Sequence, residues 1–478
     1  MSVADIRRRL EQYGQDHLLV FWEELDDSSR QELLADIEAV DLELVAGLVR
    51  SHVQGGDPPA EQGELSPPEC LPYEPASDQQ RRLYAEARES GETLIREGKV
   101  AAMVVAGGQG TRLGFDGPKG TFRVAPVTKK PLFQLFAESL LATGRRFGRP
   151  VPWYVMTSAA TDAATRAYFA EHEHFGLDAE NVFFFQQGMM PAVDLDGRVL
   201  LADKHRLATS PDGHGGSIRA LAASGALADM ARRGVEVISY FQVDNPLVRP
   251  VDPLFLGLHA RTGSQMSSIT MGKASDNERV GVFAMRNGRL QVIEYSDLPS
   301  ELASARTPDG SRRFDAANIA VHALSRGFIE ELTRPGAAAG RTLPWHRAVK
   351  AVPHVDPKNG ARVRPSEPNA VKFEMFIFDA LPLAENPLLY ESLRSEVFSP
   401  VKNAEGVDSP ATAHRDLIRR AASWLEVCGV EVPRTPGGEP DCTLEISPLA
   451  ALDAEELASR LNPLPAIGRG AEFCLGGE

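Results

Sequence analysis

Cysteine is scarce: the 478-residue chain has four, Cys70, Cys428, Cys442 and Cys474, far apart and without C-x-x-C spacing. That scarcity argues against a thiolate zinc site or a disulfide framework and predicts a reducing, cytoplasmic setting. Long apolar runs are missing too. No stretch approaches the roughly 18 residues of a membrane span, and the charged opening MSVADIRRRLEQYG predicts no secretory leader. Positive charge is in deficit, since 51 Lys and Arg against 66 Asp and Glu leave a formal charge of −15. A body this acidic argues against nucleic acid or anionic membrane as partner, because both are held by basic patches. Any phosphate site must therefore be a local basic pocket. With 43% hydrophobic and 24% charged residues the chain is an ordinary globular protein. Its length predicts two or three domains.

The stretch VAAMVVAGGQGTRLGFDGPKG, residues 100–120, organises the rest. Apolar residues 101–106 run straight into Gly107, Gly108, Gln109, Gly110, Thr111 and Arg112. A buried strand emptying into a glycine loop reads this way, and such a loop turns backbone N–H groups on an anion while Arg112 and Lys119 bring charge. Two better-known phosphate loops fit poorly. The dinucleotide pattern G-x-G-x-x-G meets Leu113 where its third glycine belongs, and the Walker pattern meets Pro118 ahead of Lys119.

Apolar spacing predicts two or three amphipathic helices over residues 3–49. Residues 55–75, rich in Pro, Gly and Glu, read as a surface linker, and Ser77 caps a helix running to about Glu97. Beyond the glycine loop, strands and helices alternate: helix 132–142, strand 153–157, helix 161–171, strand 182–186, helix 217–233 and strand 235–243. That alternation predicts a parallel sheet flanked by helices, with ligands beyond the carboxyl ends of its strands. Arg286-Asn287-Gly288-Arg289 reads as a hairpin turn. The domain expectation is an N-terminal helical region with linker (1–99), a central domain (100–384) and a small C-terminal α+β domain (385–478).

Asp244, closing VISYFQVD, is the best metal-ligand candidate, because Mg²⁺ binds through one or two carboxylates plus substrate oxygens. In SPDGHGGSIRAL, Gly213, Gly215 and Gly216 let backbone lie against a flat base or ribose. Lys119, Lys372 and Lys402 are candidate phosphate clamps; Lys372 stands out because it interrupts the apolar run AVKFEMFIFD. His172 and His174 sit on a charged helix end and are not read as a metal pair. No G-x-S-x-G elbow occurs.

Taken together, AGGQGTRLG with PKG, FFFQQGMMPAV, SPDGHGG, VDN, VIEYS, FDAANIAVH, EPNAVKFEMFIFD and FSPVKNAEG resemble the eukaryotic-type UDP-sugar pyrophosphorylases. The resemblance is greatest to the UDP-N-acetylglucosamine (UDP-N-acetylhexosamine) pyrophosphorylases and spans roughly residues 100–403. It implies a glycosyltransferase-A-like, Rossmann-type α/β fold with a mixed, mainly parallel sheet. It further implies that Gly107, Gly108, Gly110, Thr111 and Arg112 cradle a triphosphate, and that Lys119 neutralises its α-phosphate region. Gln187 and Gly213 would read uracil, with His214 beside them, and Asp244 would hold Mg²⁺. Gly281, Glu294 and Asn318 would meet the sugar; Lys372 and Lys402 would grip the sugar phosphate or pyrophosphate. The implied reaction joins UTP and N-acetylglucosamine 1-phosphate into UDP-N-acetylglucosamine and pyrophosphate.

Three positions depart from that pattern. His214 stands where the N-acetylglucosamine enzymes usually carry Asn and the UDP-glucose enzymes carry His, and Asp315 and Ala317 replace an expected Asn and Gly. VIEYS favours the N-acetylhexosamine side. Glucose or galactose 1-phosphate is accordingly the alternative substrate, and a non-catalytic sugar-nucleotide sensor the alternative class; a sensor could dispense with Lys119 and Asp244.

Overall fold

The computed structural model describes residues 2–55, 63–334, 336 and 342–476. Its contacts divide the chain into two units, each assembled from three stretches. The first takes residues 1–63, 187–219 and 338–379, and the second takes the rest.

The second unit is mixed α/β around a ten-stranded sheet. Its centre is parallel: Val237–Gln242, Val100–Val105, Trp153–Thr157 and Val182–Gln186 lie side by side in that order. The three inner strands are buried almost throughout, which suits their largely apolar sequences, while the outer strand Val182–Gln186 is half-buried and ends on an exposed Gln186. Beyond Val237–Gln242 the antiparallel strand Ala316–Ser325 follows, and Val282–Arg286 and Met266–Gly272 pair with it in turn. From Val100 the chain steps outward to residue 153 and then 182, and returns to the opposite side of Val100–Val105 at residue 237. The strand order therefore reverses between Val100–Val105 and Val237–Gln242, a switch point of the kind beyond whose carboxyl ends such sheets bind ligands.

Local chemistry sets the elements around this switch point. Ser77 accepts the Gln80 N–H and starts the helix Asp78–Arg96, which delivers the chain into the first strand. That helix crosses Pro253–Arg261 at backbone contact: a Cβ on Gly91 would lie 1.8 Å from the Pro253 carbonyl oxygen, and one on Gly257 1.6 Å from that of Ala87. The helix expected over 132–142 runs on to Phe147 and stops at Gly148, with φ 72°. The predicted hairpin joins Val282–Arg286 to Arg289–Ile293, and Asn287 and Gly288 both take positive φ, 52° and 75°, as a two-residue turn of right-handed twist requires.

Two expectations are corrected. Residues 217–233 form two helices, Gly216–Ala223 and Ala226–Arg233, because Gly225 adopts φ 81° between them. Part of the supposed linker is sheet: Leu65–Ser66 pairs antiparallel with Met285 and Arg286 and buries Leu65. Residues 56–62 of that linker lie outside the described residues. Toward the C-terminus of this unit the helix Pro410–Val427 and the parallel strands Thr443–Ile446 and Glu472–Leu475 share an apolar cluster of Trp424, Leu425, Leu444 and Leu457.

The first unit carries the N-terminal helices Val3–Gln12, Asp27–Ala39 and Leu42–Leu48. Their apolar faces pack with Val193, Val199, Leu201, Val371 and Phe373 in one core. Its sheet is the antiparallel set His346–Lys350, Ala370–Glu374 and Val193–Asp194. Among the described residues no helix is long and apolar enough to cross a membrane.

Candidate active site

In the second unit the glycine loop folds back on itself. The Gly110 N–H donates to the Gly117 carbonyl at 3.0 Å, and the Lys119 N–H donates to that of Gly108 at 3.1 Å. Its glycines serve different ends. Gly108 is exposed and has open space where a Cβ would sit, so an anion can approach its backbone, whereas a Cβ on Gly110 would meet the Phe115 ring at 2.6 Å. Gly120 lies against Phe133 so tightly that a Cβ would fall 2.1 Å from the ring, which seats Lys119 on the helix Leu132–Phe147. The Gly107 carbonyl accepts from Ser158 Oγ at 2.7 Å. Thr111 and Arg112 remain exposed on the next turn.

Lys119 Nζ lies 3.4 Å from Asp244 Oδ2, and the two side chains are only 15% and 14% exposed. This pair bridges the switch point itself, with one member after each of the two central strands. Asn245 then ties in a third segment: its Nδ2 donates to the Val397 carbonyl at 2.7 Å, and its Oδ1 accepts the Ser399 N–H at 3.0 Å. The Val401 N–H donates to the Asp244 carbonyl at 2.8 Å, so Lys402 is delivered beside the pair. Lys402 Nζ stands 4.0 Å from Asp408 Oδ2 and 5.6 Å from the centre of the Phe398 ring. Burial pushes the Asp408 carboxyl above its ordinary range; Lys402 opposes that shift, and Glu278 and Asp244 add to it. Two cations and two carboxylates thus share one half-buried patch. No group of three His, Cys, Asp or Glu side chains able to hold a metal occurs among the described residues. Asp244 suits an ion that takes one protein carboxylate and fills its remaining positions with substrate oxygens and water, as Mg²⁺ does.

Gly281, Glu294 and Asn318 come together in this unit although 37 residues separate the first from the last. The Asn318 N–H donates to the Gly281 carbonyl at 2.8 Å, and a Cβ on Gly281 would stand 3.0 Å from Glu294 Oε1. Of the departures beside them, Ala317 is buried within the sheet. Asp315 accepts from the Lys273 N–H at 3.1 Å and from Arg312 Nη1 at 3.3 Å.

The remaining candidates, Gln187, Gly213, His214 and Lys372, lie in the first unit. Their segments are stitched together by backbone. The Asp212 N–H donates to Gly188 at 3.1 Å, Met375 donates to the Asp212 carbonyl at 2.8 Å, and Gly215 donates to that of Met375 at 2.8 Å. Gly213 takes φ 83°, and a Cβ there would strike the Met375 oxygen at 2.3 Å. His214 Nδ1 accepts the Ile377 N–H at 3.1 Å, which leaves Nε2 as the protonated nitrogen of a neutral ring. Burial reinforces this, pushing the imidazolium down to about 4. Phe376 and Phe378 flank the ring with centroids at 5.4 and 5.6 Å. Lys372 is half-buried on Ala370–Glu374, opposite Ala348.

Sequence reasoning passed over Asp212. Its buried carboxylate fills the space that side chains at Gly188 and Gly216 would need, at 2.3 and 2.0 Å from the respective Cβ positions. Burial raises its carboxyl to about 6, with Arg219 opposing. The folded chain holds that proton more tightly than an unfolded one, so the resulting support for the fold is complete below about pH 4 and fades as pH climbs through about 6. The Asp-Gly step marks a turn in the sequence, but nothing in it says that the aspartate faces inward.

The family model for UTP–glucose-1-phosphate uridylyltransferase matches residues 68–405. A human protein described as UDP-N-acetylhexosamine pyrophosphorylase-like protein 1 is 40% identical, over 95% of this chain and 94% of its own. The Saccharomyces cerevisiae UDP-N-acetylglucosamine pyrophosphorylase is 35% identical, over 90% and 92%. Among solved structures, the Trypanosoma brucei uridine diphosphate N-acetylglucosamine pyrophosphorylase in complex with inhibitor matches with a TM-score of 0.82 and 26% identity, covering 99% of this chain and 98% of that one.

Proposed function

The chain belongs to the UTP–glucose-1-phosphate uridylyltransferase family, and from that premise we propose that it is a uridylyltransferase forming UDP-N-acetylglucosamine and pyrophosphate from UTP and N-acetylglucosamine 1-phosphate. The observation that carries this reading is the Lys119–Asp244 pair at the strand switch point, beside an open glycine loop. Relatives named for the N-acetylhexosamine reaction, alike over nearly the whole chain, support the choice of sugar.

In this reading a phosphate oxygen of the sugar 1-phosphate attacks the α-phosphorus of UTP. The bond from that phosphorus to the bridging oxygen breaks in line, and pyrophosphate departs with the electron pair. No proton need move and no enzyme-bound intermediate forms, so the protein's task is to hold two anions together and offset the charge gathering on the leaving group. Gly107, Gly108, Gly110 and Thr111 offer the triphosphate backbone N–H groups and a hydroxyl; Arg112, Lys119 and Lys402 supply positive charge, and Lys372 grips a phosphate. Gln187, Gly213 and the neutral His214 read the uracil, while Gly281, Glu294 and Asn318 meet the sugar. Bound Mg²⁺ would rest on Asp244 and lower the charge of the phosphates it touches. The parallel centre with an antiparallel strand beyond Val237–Gln242 supports the finer glycosyltransferase-A-like description. The four cysteines, none in a disulfide, support a cytoplasmic home.

A specific observation favours a second sugar: His214 and Asp315 stand where the N-acetylglucosamine pattern has Asn, and glucose or galactose 1-phosphate is then the partner. A pyrophosphate-release assay with UTP against a panel of sugar 1-phosphates separates the readings. We expect turnover with N-acetylglucosamine 1-phosphate at least about tenfold more efficient than with glucose 1-phosphate, a difference equivalent to about 1.4 kcal/mol. The opposite order would establish the second reading, and silence across the panel would leave the sensor.

A further inference from the structure

The strand Ala316–Ser325 is broken in the middle. It pairs with Met266–Gly272 through His322 opposite Ser268 and then through Asn318 opposite Thr270, so Ile319, Ala320 and Val321 stand against Ile269 alone. The excess is absorbed at Ala320, which takes φ 56°. Left-handed backbone is costly for alanine, and strain of this kind persists where the surrounding structure imposes it, often at functional sites.

What this conformation achieves is local. It turns the Ala320 N–H onto the Asn318 side chain at 3.0 Å. An N–H only donates, so the atom it meets must be Oδ1, and the orientation of the amide follows without ambiguity. The Asn318 backbone N–H is spent on the Gly281 carbonyl. Asn318 Nδ2, by contrast, has no protein partner among the described residues, and the side chain is half-buried rather than enclosed. Oδ1 is committed and Nδ2 is on offer.

We propose that Ala320, held at positive φ, is a positioning residue that fixes the polarity of Asn318, so that this end of the site presents an amide donor and selects sugar phosphates bearing an acceptor oxygen there. The inference rests on the functional reading above and adds to it a reason for substrate choice. A sugar whose substituent is a carbonyl or hydroxyl oxygen satisfies Nδ2. A free ammonium in its place sets donor against donor.

The test is steady-state kinetics on the full chain, with KM for UTP and for N-acetylglucosamine 1-phosphate measured separately. Ala320→Gly accepts the same φ without cost and should keep both constants within about twofold. Ala320→Val resists that φ and should raise KM for the sugar phosphate about tenfold, the scale of one lost hydrogen bond, with KM for UTP unchanged. Asn318→Asp keeps the acceptor for the Ala320 N–H but removes the donor, and should match Ala320→Val; it decides the matter if Ala320→Val does not fold. An active wild type whose Ala320→Val or Asn318→Asp variant keeps the wild-type sugar KM, or shifts both KM values together, overturns the inference alone. A wild type inactive with every sugar 1-phosphate overturns the functional reading and the inference with it.

Discussion

Replacing Lys119 by Ala should lower kcat at least about 100-fold while the thermal midpoint followed by circular dichroism moves only a few degrees. Bringing two polyanions within 4 Å is opposed by roughly 4 kcal/mol per charge pair at an effective dielectric of 20. Lys119 stands 3.4 Å from Asp244 and is largely shielded from solvent, so its field is screened little. Removing one group that stabilises developing charge typically costs about 100- to 1,000-fold. Lys119→Arg should recover part of the rate, since charge returns without the same geometry. A kcat for Lys119→Ala within threefold of wild type would remove this residue from the chemistry.

Asp244→Asn should fall as far, with a different signature. The variant keeps size and one carbonyl oxygen but loses the charge, so the Mg²⁺ concentration needed for half-maximal rate should rise at least about tenfold while KM for the sugar phosphate stays within a factor of two. Because Asp244 and Lys119 touch, the double variant should lose far less than the product of the single losses, as groups acting as a unit do. A strictly multiplicative double variant would show that the two act independently. The fold should tolerate the change, since the Asp244 backbone and the Asn245 side chain, not the Asp244 carboxylate, tie Val397 to Val401 onto the strand end.

Much of this arrangement is legible in the residues. Trp153–Thr157 and Val182–Gln186 stand where strands were expected, because apolar runs bounded by turn residues leave few other readings; the second is only half-buried. The Asn-Gly turn predicts its hairpin for the same local reason: two successive positive-φ positions need those residue types. The helix break at Gly225 is invisible to periodicity, since apolar spacing continues across Ser224 and Gly225 while a single backbone torsion interrupts the hydrogen bonds. Leu65 gives no strand signal inside a Pro-rich stretch, because its pairing is supplied by residues 285 and 286. Non-contiguous partners set the site in the same way. Nothing near Gly188 or Gly216 announces that both glycines make room for the Asp212 carboxylate. Ala320 is harder still, for an alanine in FDAANIAVHAL carries no mark of left-handed backbone; register between distant strands imposes it.

In the proposed reaction a single displacement takes place at the α-phosphorus of UTP, with no stopover on the protein. Running the reaction with UTP carrying sulfur of defined configuration on that phosphorus, and determining the configuration in the UDP-sugar, tests this directly. Inversion is the result predicted; retention would require a uridylyl-enzyme and would contradict it.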